Sequence, residues 1–325
     1  MDRPGAVAAL RAALLAFAQR HLPQALPWTV ALSGGSDSLA LTAVAAALRP
    51  TAALIVDHGL QAGSAQVAET ARRQALELGC VDAVIIPVTV GGEGFRGGPE
   101  AAARTARYAA LADARGDAPV LLGHTLDDQA ETVLLGLGRG SGPRSIAGMH
   151  PYDPPWCRPL LGVRREVTAA ACAELGVTPW HDPHNSDPRF TRVRLRAEVL
   201  PLLEEVLGGG PRGGVAQALA RTATALRENT ELIDALAGQA LPDAAVDPDT
   251  ATLAALPGPV RRAAIRRWLL AGGGRGLTDL QIRAVDRLVT EWTGQGGVAI
   301  GSDLRGQRLF AERSEGLLRL RREPV

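Results

Sequence analysis

Ser33-Gly34-Gly35-Ser36-Asp37-Ser38 lies between the apolar run Trp28-Thr29-Val30-Ala31-Leu32 and the helix-like stretch Leu39-Ala40-Leu41-Thr42-Ala43-Val44. Glycines let the chain turn sharply at the end of a buried strand. Several N–H groups can then converge on an anion at the start of the next helix, where the helix dipole also favours negative charge. The stretch reads as a phosphate cradle. It has no lysine, unlike G-x-x-x-x-G-K-[ST], and it lacks the three-glycine spacing of a dinucleotide turn. Serines and an acid replace the cation. Such a loop suits a pyrophosphate held by amides and hydroxyls, with Asp37 placed to hold Mg²⁺, and so fits chemistry at an α-phosphate. A serine-rich helix cap is the alternative; the full strand, turn and helix in register argue against it.

Outward from this loop, short apolar runs alternate with stretches of helical length. Leu54-Ile55-Val56, Val84-Ile85-Ile86-Pro87-Val88 and Val120-Leu121-Leu122 read as further strands, and residues 39–48, 66–78 and 100–114 as helices. Continuous apolar strands imply burial on both faces, hence an α/β fold with a parallel sheet covered by helices and right-handed crossovers. In such a sheet the ligand crevice lies beyond the carboxyl ends of the strands. Strand one ends in the serine–glycine loop, strand two in Asp57-His58-Gly59, and strand four in Gly123-His124-Thr125-Leu126-Asp127-Asp128-Gln129-Ala130-Glu131-Thr132. Asp127 and Glu131 form an i, i+4 pair on one helical face. Acids at a helix start are often dipole partners alone; their place at a strand end, opposite a phosphate loop, points to metal or substrate duty.

Gly208-Gly209-Gly210-Pro211-Arg212-Gly213-Gly214 reads as a linker, dividing the chain into a catalytic domain over residues 1–207 and a smaller, mainly helical domain over 215–325. In the second domain, residues 215–240, 253–270 and 280–292 read as amphipathic helices, and 298–320 as hairpin-like strands. Arg261-Arg262 and Arg266-Arg267 offer a basic face. The glycine-rich stretches 91–98 and 138–142 are candidate mobile loops near the crevice.

The chain has 325 residues, 46% of them hydrophobic, and a net charge of +1, enough for a sizeable core and without an overall pull toward nucleic acid. Every Lys/Arg position is an arginine, a usage that suits planar, bidentate contacts with phosphate and carboxylate and that codon bias in an Ala/Gly/Pro-heavy chain explains equally well. Cys80, Cys157 and Cys172 form no C-x-x-C pair and leave one thiol over in any disulfide scheme, which fits a reducing cytoplasm. No zinc or iron–sulfur site is indicated. Residues 6–18 read as an amphipathic first helix rather than a signal peptide, and no run is long enough to span a membrane. Arg192, Arg194 and Arg196 alternate with Val193 and Leu195, so that an extended stretch would present three guanidinia on one side for phosphate binding. His181-Asp182-Pro183-His184 has too few further ligands for a metal site. Base stacking falls to Trp156, Trp180, Phe190 or arginine planes.

These residues resemble the N-type ATP pyrophosphatase (PP-loop) superfamily and, within it, the bacterial tRNA(Ile)-lysidine synthetases. The resemblance is carried by the serine–glycine loop, Val56-Asp57-His58-Gly59-Leu60, Glu100 to Tyr108, and Gly123 to Thr132 running into Leu137-Gly138-Arg139-Gly140. Further on, Arg158-Pro159-Leu160-Leu161, Trp180 to Arg196 and Leu200-Pro201-Leu202 look like the same family, so the likeness covers roughly the first two-thirds of the chain. It implies ATP and Mg²⁺ as cofactors, free L-lysine and the CAU-anticodon isoleucine tRNA as partners, and admits a homodimer. It implies adenylation of the carbonyl at carbon 2 of the wobble cytidine with loss of pyrophosphate, then displacement of AMP by the lysine ε-amine.

On the resemblance, Ser33, Gly34, Gly35, Ser36, Asp37 and Ser38 hold the nucleotide, and Asp57 with His58 meets the adenosine. Asp37 with Asp127 or Asp128 positions Mg²⁺, and Arg104 meets the α-phosphate or the cytosine edge. His124 and Glu131 orient substrate or lysine, while Arg192, Arg194 and Arg196 meet RNA. Val193 and His184 depart from the family pattern, which has asparagine and a small residue there. By the same likeness the second domain grips the acceptor side of the tRNA. Other readings are a PP-loop tRNA thiolase, which usually carries clustered cysteines, an amidotransferase-type synthetase, which needs an ammonia source, and a non-catalytic nucleotide-binding module.

Overall fold

Trp28, Val30, Leu121 and Leu122 are all but inaccessible to solvent, and the strands that carry them form the middle of a six-stranded sheet. The computed structural model describes residues 5–22, 26–59, 63–89, 98–140, 142–182, 187–208, 214–304 and 306–325, the side chains of 98–101 excepted. β1 (Trp28–Ala31) pairs in parallel with β2 (Thr51–Asp57) and with β4 (Val120–Leu122), and β2 pairs in parallel with β3 (Asp82–Pro87). The strand order is β3-β2-β1-β4-β6-β5. The last two strands escaped the sequence reading. β5 (Tyr152–Asp153) and β6 (Trp156–Cys157) are two-residue segments flanking a cis Pro154–Pro155 bond, antiparallel to each other, with β6 parallel to β4.

Alternate residues of a strand face opposite sides of a sheet, and both sides are covered here. Val30 joins a core with Leu10 and Leu14 of α1 (Ala6–His21), Leu39 and Leu41 of α2 (Ser36–Ala46) and alanines of α3 (Ser64–Glu77). Ala31, Leu54, Val120 and Leu122 pack instead around Leu111 of α4 (Gly98–Ala114). α5 (Leu126–Gly138) follows β4, and α6 (Pro143–Ile146) follows α5. α7 (Arg165–Glu174) packs on α1 and α2.

Residues 191–199 correct one expectation. They do not extend but coil, as α8 (Thr191–Arg194) and a π-turn over Leu195–Val199, running into α9 (Leu200–Leu207). Period-two alternation over five residues is too short to exclude a helix, in which Arg192 and Arg196 share a face and Arg194 does not.

The chain divides into two compact units, Met1–Leu134 with Gly148–Arg221, and Leu135–Ala147 with Thr222–Val325. Residues 209–213 of the glycine-rich stretch lie outside the described residues, as do residues 90–97, Ser141 and His184. In the second unit the stretch read as one helix over 253–270 is two, α11 (Thr250–Ala254) and α12 (Gly258–Ala271), because Pro257 and Pro259 cannot continue a helix but suit its first turn. α10 (Gly214–Ala240) enters this unit from the first, and α13 (Asp279–Thr290) opens with a Thr278–Gln281 capping box. β7 (Val298–Ile300), β8 (Gln307–Ser314) and β9 (Leu317–Pro324) form an antiparallel sheet. Trp268, Ile265, Val285, Leu309 and Leu318 fill the core between. Part of the basic face expected on α12 is paired within the unit: Arg261 and Arg262 both bind Asp286, at 2.6 and 3.4 Å, whereas Arg267 is exposed and donates to the carbonyl of Pro242. Among the described residues, no helix is long and apolar enough to cross a membrane.

Candidate active site

The serine–glycine loop is held by its own hydroxyls. The Ser33 N–H donates to Ser38 Oγ (3.2 Å), and Ser38 Oγ donates to the Gly35 carbonyl (3.0 Å). Gly34 adopts φ +84°, a left-handed conformation that favours glycine, and its carbonyl accepts the Trp180 N–H at 2.9 Å. α2 starts at Ser36 and puts Asp37 in its first turn. The end of β4 passes hard against this turn. A Cβ on Gly123 would stand 3.0 Å from the backbone of Asp37 and Ser38.

That close approach brings Asp37 beside the acids of α5, and these four carboxylates join one network built on arginines. Arg165, first residue of α7, reaches Asp37 Oδ2 with Nε (3.2 Å), Asp128 Oδ1 with Nη2 (2.5 Å) and Glu131 Oε1 with Nη1 (3.6 Å). Its backbone N–H donates to Asp127 Oδ2 (2.8 Å), and Arg164 Nε lies 3.1 Å from Asp127 Oδ1. Thr168, one turn further along α7, donates to Asp37 Oδ1. Glu131, fully buried, also meets Arg196 (2.8 Å) and Arg192 (3.6 Å). Arg194 pairs with Glu198 instead. Among the described residues the network matches four carboxylates with four guanidinia.

The two central carboxylates are poised differently. Burial raises the pKa of Asp37 above the ordinary carboxylate range, against the pull of Thr168 and Arg165. Burial pushes Asp128 upward too, but Arg165 and the donors of Thr125, at 2.8 and 2.9 Å, outweigh it and hold Asp128 below that range. Two neighbouring acids driven apart in this way are equipped for different roles. Carboxylate oxygens are right for Mg²⁺, yet Asp37 and Asp128 share Arg165 and Asp127 turns to Arg164. Among the described residues, no group of three or more His, Cys, Asp or Glu is disposed to hold a metal. The three acids do not form a ready-made metal cage. What they fit is an ion that arrives with the phosphates and needs one or two protein carboxylates.

Beside the loop, beyond the ends of β1 and β2, lies a cavity of about 510 Å³ lined by Ser33, Asp57, His58, Arg107, Trp180 and Asp182 among others. Its size and mixed apolar and polar walls suit a nucleoside. His58 Nδ1 is buried without a partner, and burial lowers the His58 pKa. Arg107 makes no hydrogen bond or ion pair among the described residues, and burial lowers its pKa. Arg104 lies elsewhere: it is exposed and stacks on the Tyr108 ring at 4.9 Å. The arginine facing the cavity is therefore Arg107, one turn along α4 from Arg104. His124, at the end of β4, keeps Nδ1 buried and unpartnered, and burial drives its pKa down to about 3. Its imidazole is neutral near pH 7. Arg164, Arg165 and Thr168 were not singled out from the sequence; their only signal was their position just after Arg158-Pro159-Leu160-Leu161.

A PP-loop domain family model matches residues 10–203, and a TilS substrate binding domain model matches residues 249–315. The tRNA(Ile)-lysidine synthase of Mycobacterium bovis is 70% identical, with all of both chains aligned. The chain belongs to the tRNA(Ile)-lysidine synthase family. The synthase of Mycobacterium leprae is 66% identical over the full length of both chains, and that of Rhodococcus erythropolis 60% over 96% of this chain and 95% of its own. The PP-loop fold reaches further than the synthases. A U34-tRNA thiolase from Methanococcus maripaludis shares it with a TM-score of 0.55 at 16% identity, over 69% of this chain and 80% of the thiolase.

Proposed function

We propose that this chain is an ATP-dependent, AMP-forming carbon–nitrogen ligase that joins lysine to carbon 2 of the wobble cytidine in the CAU-anticodon isoleucine tRNA. In the first step the carbonyl oxygen at carbon 2 attacks the α-phosphorus of ATP, and pyrophosphate leaves. In the second the ε-amine of lysine attacks carbon 2, the C–O bond to AMP breaks, and the amine proton is lost. The observation that carries this reading is the meeting of the phosphate loop with the α5 acids beside a nucleoside-sized cavity, in a chain matching the synthases end to end.

In this reading the amides and hydroxyls of Ser33 to Ser38 hold the pyrophosphate portion of ATP. Asp57 and His58 border the adenosine, Arg107 supplies a cation toward the α-phosphate from the cavity wall, and Arg104, exposed outside the cavity, meets the cytosine edge of the incoming RNA. Neutral His124 and the carboxylate of Glu131 orient lysine and the base. Asp37 and Asp128 are the carboxylates for a nucleotide-borne Mg²⁺. That ion, when bound, offsets charge on the leaving pyrophosphate. Arg192 and Arg196, on one face, exchange carboxylate for RNA phosphate, while Arg194 faces the other way. The functional division proposed is a catalytic part over residues 1–207 and a tRNA-gripping part over 215–325; the stretch 208–214 falls between the two family matches.

A thiolase reading finds little support in the thiols. Cys80, Cys157 and Cys172 are buried, and burial pushes the first two up to about 11 and about 12. Purified protein incubated with labelled lysine, ATP, Mg²⁺ and the isoleucine tRNA should incorporate label and release AMP and pyrophosphate. Release of ADP and orthophosphate, or thiolation from a sulfur donor with no lysine incorporated, refutes the proposal.

A further inference from the structure

We infer that Arg165 is a positioning residue, a clamp that sets the distance between the phosphate loop and the acids of α5. The inference rests on the ligase reading above. The residues it joins are remote in sequence: Asp37 follows β1, whereas Asp128 and Glu131 follow β4. Parallel pairing of β1 with β4 puts the two strand ends side by side, but strand pairing does not fix how far the side chains beyond the strands stand apart. Left to themselves, clustered carboxylates repel. Arg165 places Nε, Nη2 and Nη1 against Asp37, Asp128 and Glu131 in turn, while its N–H takes Asp127. Only a planar fork with five donors does this; a lysine ammonium is a single point.

The clamp is itself anchored. α7 buries Thr168, Ala171 and Cys172 against the core, and Cys172 Sγ lies 3.5 Å from the Ser36 carbonyl in the first turn of α2. At its far end Glu174 accepts the N–H groups of Ala6 and Val7 at the start of α1, at 2.6 and 3.0 Å. The guanidinium therefore hangs from a helix fixed to the same core as the loop it braces. Being held by carboxylates rather than aimed into the cavity, Arg165 acts on ATP through Asp37 and Asp128.

The test is pyrophosphate release by the full chain with ATP, Mg²⁺, lysine and tRNA, in R165A and R165K. A loop displaced by about 1 Å loses roughly 100-fold in kcat, and the KM for tRNA should stay within about threefold of the parent value. R165K retains charge and should stay at least about tenfold slow, because one nitrogen does not span three acids. Guanidinium ion at tens of millimolar, roughly a hundredth of the concentrations that unfold hyperstable domains, should restore at least about tenfold of the R165A loss, and tetramethylammonium at equal ionic strength should not. Activity of R165A within about threefold of the parent overturns the inference, as does an equal loss that guanidinium fails to rescue, which marks a purely structural role. If R165A does not fold, R165K decides alone: parent-like turnover refutes the clamp. A parent protein that releases no pyrophosphate refutes the ligase reading instead.

Discussion

Replacing Gly123 by alanine separates what looks important in the sequence from what the packing requires. The added methyl would lie 3.0 Å from the carbonyl carbon and oxygen of Asp37 and from Ser38 Cα. Ordinary carbon contacts begin near 3.5 Å, so the two segments must part by about half an ångström. All three atoms are backbone in the first turn of α2, which is buried from Ser38 to Ala45, so no side chain can swing aside. Overpacking of this kind costs about 1–3 kcal/mol. At about 2–4 °C per kcal/mol for a unit of this size, the melting temperature should fall by roughly 2–12 °C. The strain pushes Asp37 away from α5. Half the misplacement that costs 100-fold should slow pyrophosphate release by about tenfold. Thermal unfolding and a pyrophosphate-release assay measure the two effects. Gly35 is the instructive control for stability. It belongs to the motif, yet a Cβ there meets only Ser33 Oγ at 3.7 Å, so G35A should melt within about 2 °C of the parent. A G123A protein with parental melting and parental turnover would show that the two strand ends are not in register as described.

Further expectations concern single charges. R107A should lower pyrophosphate release by at least about 100-fold, as loss of a cation at a transferring phosphoryl group does, with R104A at least tenfold milder; the reverse order removes Arg107 from the nucleotide site. For His124 the folded state resists protonation, since its pKa is about 3 against 6.5 unfolded. Its contribution to stability is complete above pH 6.5 and is lost as pH falls from there toward 3. H124N should flatten that part of the stability-against-pH curve, and an unchanged slope counts against the burial described. E131Q removes the buried partner of three arginines that keep 25 to 40% of their side-chain surface exposed. Discounted for that exposure, it should cost roughly 1–3 kcal/mol in denaturant unfolding. A neutral result means the arginines find other partners without loss.

How much was legible beforehand depended on how local the signal was. β1, β2 and β4 could be read because strands buried on both faces are apolar without interruption, and Asp37, Asp127, Asp128 and Glu131 because each sits at a strand end where an α/β sheet binds ligands. β5 and β6 carry two residues apiece, shorter than any periodicity. Arg165 was hidden for a different reason. It lies on a helix rather than at a strand end, and its meaning comes wholly from three residues that tertiary packing brings to it. Arg192 and Arg196 were singled out with the wrong geometry: R-V-R-L-R satisfies a strand period and an i, i+4 spacing equally, and the coil is settled by its continuation into Leu200-Pro201-Leu202 on α9. Pro257 was a legible break that the apolar pattern of 253–270 overrode.

Every cation around the acids is a guanidinium, and the whole chain contains no lysine. Guanidinium stays protonated at any working pH and offers no lone pair to an electrophile. On the reading proposed above, an adenylated base formed in this pocket faces no lysine amine of the enzyme, and the protein has no lysine through which to cross-link itself to the RNA. On that reading the amino group that reacts comes from solution.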